Sequence, residues 1–349
     1  MLFILTAASA VVPSLLLIWY FWAGDVQPEP GRVLWATFGL GVLSVIPVLM
    51  VELPVARLLA PIHDPYLHGV LDAFFGAAAP EEGFKLLVLL AYCDRHPEFD
   101  EPMDGIVYGA VASLGFATLE NVLYVSGGGI GLAALRAVTA VPLHAFGGAI
   151  LGYYVGQAKF TPKHRFRLIL TGYLLAFALH GLYDFPLLTL ADFKRLGLGE
   201  APPVAHLLLL ITLGALAFEW TFAVSRTRRL RVDQLHVLAV RALQYGVAPP
   251  PGVLTAAPPT TGSLVRGWVM LLSGGALACL GGLVVLVLAG AALFDRSQVP
   301  GGVLQMALGG VIIGVLPLLL GLFMFARGLR RMRVQGPISP YVTVRPQGG

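Results

Sequence analysis

Charge is what this sequence has least of. Only 12% of its 349 residues are Asp, Glu, Lys or Arg, against about 25% in an ordinary soluble domain, while 57% are hydrophobic. That shortage excludes a water-soluble enzyme and an intrinsically disordered chain, both of which need a polar surface. Cysteine is nearly absent too. Cys93 and Cys279 each fall within or at the end of an apolar stretch, which excludes a disulfide framework. His-Glu-x-x-His, Gly-x-Ser-x-Gly and a phosphate-cradling glycine loop are all missing, which argues against a soluble-type zincin, a serine hydrolase of that pattern and an ATP-driven pump. There is no internal repeat. The basic residues lie beside apolar runs rather than among aromatic platforms, so nothing points to a nucleic-acid partner.

What the sequence does have is long apolar runs. About 20 such residues carry a helix across the hydrocarbon core. Runs of that length occupy residues 2–22, 33–56, 67–93, 105–125, 132–158, 168–190, 204–224, 268–294 and 303–326. The expected fold is all-α, a polytopic transmembrane helix bundle of about nine spans in a lipid bilayer. Pro80 should split the third run into a short amphipathic piece, 67–79, and a helix from Glu81. Residues 2–22 have no preceding Lys or Arg and form too long a run for a cleavable signal peptide, so they read as the first span.

Basic residues set the sidedness. Lys159, Lys163, Arg165 and Arg167 crowd one short loop. Arg226, Arg228, Arg229, Arg231, Arg241 and Arg266 occupy the 226–267 connection, and Arg327, Arg330, Arg331, Arg333 and Arg345 the tail. Two spans separate each group from the next, which places all three in the cytoplasm with the N-terminus outside. The loop at 94–104 then falls on the cytoplasmic side although it is acidic. The chain divides into a core, 1–225, of about seven spans, the basic connection, a two-span extension, 268–326, and a tail, 327–349. Residues 226–245 read as a basic amphipathic helix on the membrane surface, and 248–261 as a Pro-, Ala- and Thr-rich linker.

Ionisable side chains are costly at bilayer depth and mark function by default. Pro80-Glu81-Glu82-Gly83-Phe84-Lys85 opens an apolar helix, with Glu81 and Lys85 sharing a face. As a helix start with an ion pair this would be unremarkable, but two adjacent carboxylates in low dielectric cannot both ionise cheaply, which suits a general base. Glu120, beside Asn121, is an isolated acid in an apolar span. His144 precedes Gly148, Gly152 and Gly156, spaced four apart on its own face, where small residues let helices approach closely. His180 and Asp184 are again four apart, and the acid can orient the imidazole. Each motif alone has a structural explanation. Spread over four helices together, they suit activation of water for attack on a carbonyl, either by a zinc ion held by His nitrogen and Glu oxygen or by a glutamate assisted by histidine.

At these residues the sequence resembles the PrsW family of intramembrane proteases. Glu81-Glu82-x-x-Lys85, Phe116-Ala-Thr-Leu-Glu120-Asn121-x-x-Tyr124, His144 and His180-x-x-x-Asp184 occur in that family's order. The likeness spans about residues 33–224, and is more distant to CAAX-prenyl and bacteriocin-processing membrane proteases. It implies an intramembrane endopeptidase acting on membrane-anchored, anti-sigma-factor-like proteins in a bacterial cytoplasmic membrane. Glu81 and Glu82 become the water-activating carboxylates. Glu120, His144 and His180 become metal ligands or transition-state stabilisers, with Lys85 and Asp184 in support. Zinc and a metal-free glutamate mechanism both remain open. The competing reading is a proton- or ion-coupled transporter using the same Glu and His residues, which would need inverted repeats or paired broken helices. A catalytically dead peptide-binding scaffold is the third.

Overall fold

A computed structural model describes residues 2–245, which are helical, with no strand among them. The helices are α1 (Leu2–Gly24), α2 (Gly31–Leu59), α3 (Pro65–Leu71), α4 (Ala79–Ala91), α5 (Pro102–Val138), α6 (Ala140–Phe160), α7 (Arg165–Arg195), α8 (Pro203–His206) and α9 (Leu209–Gln244). Among the described residues, five stretches are long and apolar enough to cross a membrane: 31–59, 102–124, 131–160, 162–195 and 203–244. Seven of the nine expected runs fall on helical chain. The runs at 268–294 and 303–326, Cys279, the linker and the tail lie outside the described residues.

Burial is inverted relative to a soluble protein. Trp35, Leu43, Met50 and Phe166 are each more than half exposed, while Glu81, Glu82, Lys85, His144 and His180 are buried. The surface is largely apolar, and the ionisable side chains are gathered inside amid a packed apolar core. That is the arrangement a lipid solvent requires.

The centre of the bundle is the hairpin made by 102–124 and 131–160. Pro102–Val138 is helical along its length, although the expected runs 105–125 and 132–158 leave 126–131 as a connection. The chain nevertheless reverses there. Asn121 and Arg136 would be about 22 Å apart on a straight helix, yet Arg136 Nε donates to Asn121 Oδ1 at 2.6 Å. The two arms then meet through glycine. A Cβ at Gly109 would stand 2.2 Å from the Gly148 carbonyl oxygen, and one at Gly152 1.9 Å from that of Gly105. Only glycine fits at this separation, which confirms the close approach expected from the Gly148–Gly152–Gly156 spacing.

Pro80 does not break its run. α3 passes into a π-helical segment, Asp72–Ala78, and then into α4, with Pro80 in its first turn. A proline lacks the N–H that would continue an α ladder and crowds the turn before it, and the wider π pairing accommodates it. Residues 226–244 likewise differ from expectation. α9 continues from Leu209 to Gln244 without interruption, so these residues prolong the last described span instead of starting a separate surface helix at the 225/226 boundary. Arg231 on this extension donates to the Ala23 and Gly24 carbonyls at the end of α1.

The acidic loop after α4 has a physical explanation. Asp94 accepts from Arg165 Nη2 at 2.7 Å, and its carbonyl accepts from Lys159 Nζ at 2.5 Å. The acidic and basic loops therefore neutralise each other at one end of the bundle.

Candidate active site

Pro80 fixes the start of α4, so Glu81 and Glu82 fall in its first turn and Lys85 one turn later, inside the protein. Lys85 Nζ lies 3.1 Å from Glu81 Oε2, 2.8 Å from Glu82 Oε1 and 3.0 Å from His144 Nδ1 on α6. The Phe116 ring, from α5, covers the same ammonium at 4.4 Å, a cation–π contact in a desolvated site. His144 is engaged at both nitrogens, since its Nε2 meets Glu120 Oε2 at 2.8 Å. His180 on α7 is also held on both sides: Nδ1 by Glu82 Oε1 at 2.8 Å and Nε2 by Asp184 Oδ2 at 3.0 Å. The two imidazole rings stand 5.3 Å apart, edge to face.

All seven residues singled out in the sequence are thus in one hydrogen-bonded group contributed by α4, α5, α6 and α7. They do not face the same way. A cavity of about 450 Å³ is lined by Glu81, Glu120, His144, His180 and Asp184, whereas Glu82 and Lys85 lie behind that wall.

Several ionisable residues of this region were not anticipated, Asp72 on the π-helical segment, which lines the cavity, among them. Glu52, from α2, lines the cavity. Arg136 also lines it and binds Glu120 Oε2 through Nη2 at 2.8 Å. Arg136 further donates to Asn121 and lies 4.0 Å over the Tyr124 ring. The Glu120-Asn121-x-x-Tyr124 motif is therefore a cradle for one guanidinium. Glu219 on α9 is buried behind α6, with Oε1 3.3 Å from the position of a Cβ on Gly147. All of these are ionisable residues inside apolar runs, the same signal that found the other seven.

Glu81, Glu82, His144 and His180 can each bring one donor atom within 4.8 Å of the others, and Glu82 Oε2 is buried without a hydrogen-bond partner. Two carboxylates and two imidazoles are a set that zinc accepts. Lys85 touches three of these same residues, so a metal and this ammonium would compete for the same lone pairs. Glu120 stands on the far side of His144, outside that group of four.

Membrane helices closed around a group of carboxylates and imidazoles, with a cavity reaching it, define an integral membrane protein with a polar site suited to hydrolysis. Comparison with known proteins agrees. Residues 29–217 match the family described as PrsW family intramembrane metalloprotease. "Protease PrsW" of Geobacillus kaustophilus is 40% identical over 182 residues, 52% of this chain and 79% of that protein. "Protease PrsW" of Oceanobacillus iheyensis is 38% identical over 193 residues, 55% and 86% of the two chains. The protein of that name from Bacillus subtilis is 35% identical over 187 residues, 53% and 84%. No solved structure matches. The chain belongs to the PrsW family of intramembrane metalloproteases. It is an intramembrane protease, and the transporter reading is not favoured.

Proposed function

We propose that this protease cleaves membrane-anchored proteins of the anti-sigma-factor type at the cavity beside α4, with Glu81 as the general base. Of the paired glutamates, Glu81 alone lines the cavity, and this observation carries the reading. Glu81 takes a proton from water as the water oxygen attacks the scissile carbonyl carbon, and later gives that proton to the leaving amine. His144 and His180, which line the cavity with Glu81, lower the cost of the negative charge that develops on the carbonyl oxygen, while Lys85 behind the wall holds Glu81, Glu82 and His144 in place. Glu82 and Asp184 orient His180, while Glu120 orients His144. Leu49, Leu53, Leu123 and Leu188 give part of the cavity wall an apolar surface, suited to a segment arriving from the bilayer.

Zinc, held by His144 and His180 with Glu82, would supply Lewis acidity and a more acidic water. Without it, the same carboxylate serves as base directly. By the distribution of Lys and Arg, the end of the bundle carrying Lys159, Arg165 and Arg231 faces the cytoplasm. The catalytic unit is taken as residues 1–225, with 226–267, 268–326 and 327–349 as additions to it.

Cleavage of a membrane-anchored substrate by protein reconstituted in liposomes tests this reading. Glu81→Gln and His180→Ala should each abolish cleavage while the unfolding transition stays cooperative. Cleavage retained in both overturns the site. Metal content is read on the same samples: one zinc per chain, lost in His144→Ala and His180→Ala, supports the metal route, and metal-free active protein rejects it.

A further inference from the structure

At the opposite end of the described core from the cavity, a second set of acids is buried. Asp25 follows the end of α1, Glu29 lies in the α1–α2 connection, Glu101 caps α5, and Asp104 is in its first turn. Their relative exposures are 5%, 5%, 2% and 0%. None of the four is in an ion pair with Lys or Arg among the described residues. The neutral neighbours are Tyr108, which donates to Glu29, and Gln27 and Gln234, which donate to Glu101 and Asp25. Two cations lie near, Arg231 and Lys159, and each donates to backbone carbonyls, Arg231 to those of Ala23 and Gly24 and Lys159 to that of Asp94.

Proximity alone would not make this a site. Two carboxylate oxygens, however, are left over. Asp104 Oδ2 accepts from the backbone N–H of Asp100 and Glu101, each at 2.8 Å, and Asp25 Oδ1 accepts from Gln27 and Gln234. Asp104 Oδ1 and Asp25 Oδ2 are buried with no partner. An orphaned buried carboxylate oxygen is costly, and here two occur in one cluster. Asp25, Glu29 and Asp104 can each bring one oxygen within 4.8 Å of the other two.

We infer that this cluster binds a hard divalent cation, Ca²⁺ or Mg²⁺, separately from the protease site. The donor set is oxygen only, with no His or Cys, which suits hard cations and not zinc. A bound cation would satisfy the leftover oxygens and tie the α1–α2 connection to the start of α5, next to α9. Its role is structural, since none of these residues lines the cavity.

The test uses full-length protein in detergent after chelation, with Tb³⁺ as a probe for oxygen-ligand sites. Tb³⁺ should bind and luminesce on excitation of the adjacent Tyr108, with Ca²⁺ or Mg²⁺ displacing it, and the displacing ion identifies the preferred cation. Either ion should raise the unfolding temperature saturably. Asp25→Asn and Asp104→Asn should each weaken binding at least about tenfold, while Glu81→Gln leaves it unchanged. Asn keeps the shape of both side chains, and two independent variants guard against one failing to fold. Absence of Tb³⁺ binding and of any stabilisation overturns the inference, as does binding that survives both Asn variants or that is lost in Glu81→Gln.

Discussion

Replacing Lys85 with methionine removes an ammonium that joins α4 to α6. Lys85 is 1% exposed and contacts Glu81, Glu82 and His144 at 2.8–3.1 Å. Deleting one partner of a buried pair leaves an uncompensated charge and costs about 3–5 kcal/mol. That is a large share of the total stability of an ordinary fold, about 5–15 kcal/mol. Adding Glu82→Gln removes much of the orphaned charge, so the double variant should be more stable than Lys85→Met alone. The coupling between the two should fall within about 0.5–3 kcal/mol. Unfolding in mixed micelles, followed by tryptophan fluorescence, measures both quantities, and cleavage should be lost in the single and double variants alike. Strict additivity, or a Lys85→Met protein within ~0.5 kcal/mol of wild type, would show that the ammonium does not hold this group together.

Arg136→Gln should lower cleavage by about two orders of magnitude, because the loosened Glu120 no longer fixes His144 and small misplacements are that costly. Unchanged turnover would reduce Arg136 to a packing role. Gly152→Ala places a methyl group on the Gly105 carbonyl and should destabilise the hairpin by about 1–3 kcal/mol, read from the same unfolding curves. For pH, burial pushes Glu29 and Glu101 up from the usual 4.5 to about 7. The folded protein then holds more protons than the unfolded chain between these values, so in chelator its stability should fall as pH rises from about 4.5 to about 7 and level off above. Stability rising over that window would contradict the burial of these acids.

Much of the site was legible because each motif combined a charge with an apolar helix. Glu81, Glu120, His144 and His180 announced themselves by their cost in lipid, and the glycines after His144 gave the reason two helices could meet. Glu52 and Arg136 carried the same cost but sit near the ends of apolar runs, where a lone charge also reads as an interfacial anchor. Their inward orientation depends on how α2 and the hairpin pack, which spacing along one helix does not encode. The buried acids at 25, 29, 101 and 104 were hidden for a related reason. In sequence they are ordinary loop and cap residues, and only the folding of α1 and α9 over the start of α5 removes them from water.

The polar contacts run without a gap from Arg136 through Glu120, His144, Lys85, Glu82 and His180 to Asp184. A chain of that kind behaves as a crossbar between α6 and α7. Separating those two helices would sever a link in it, so the relative position of α6 and α7 and the placement of the buried side chains are tied together.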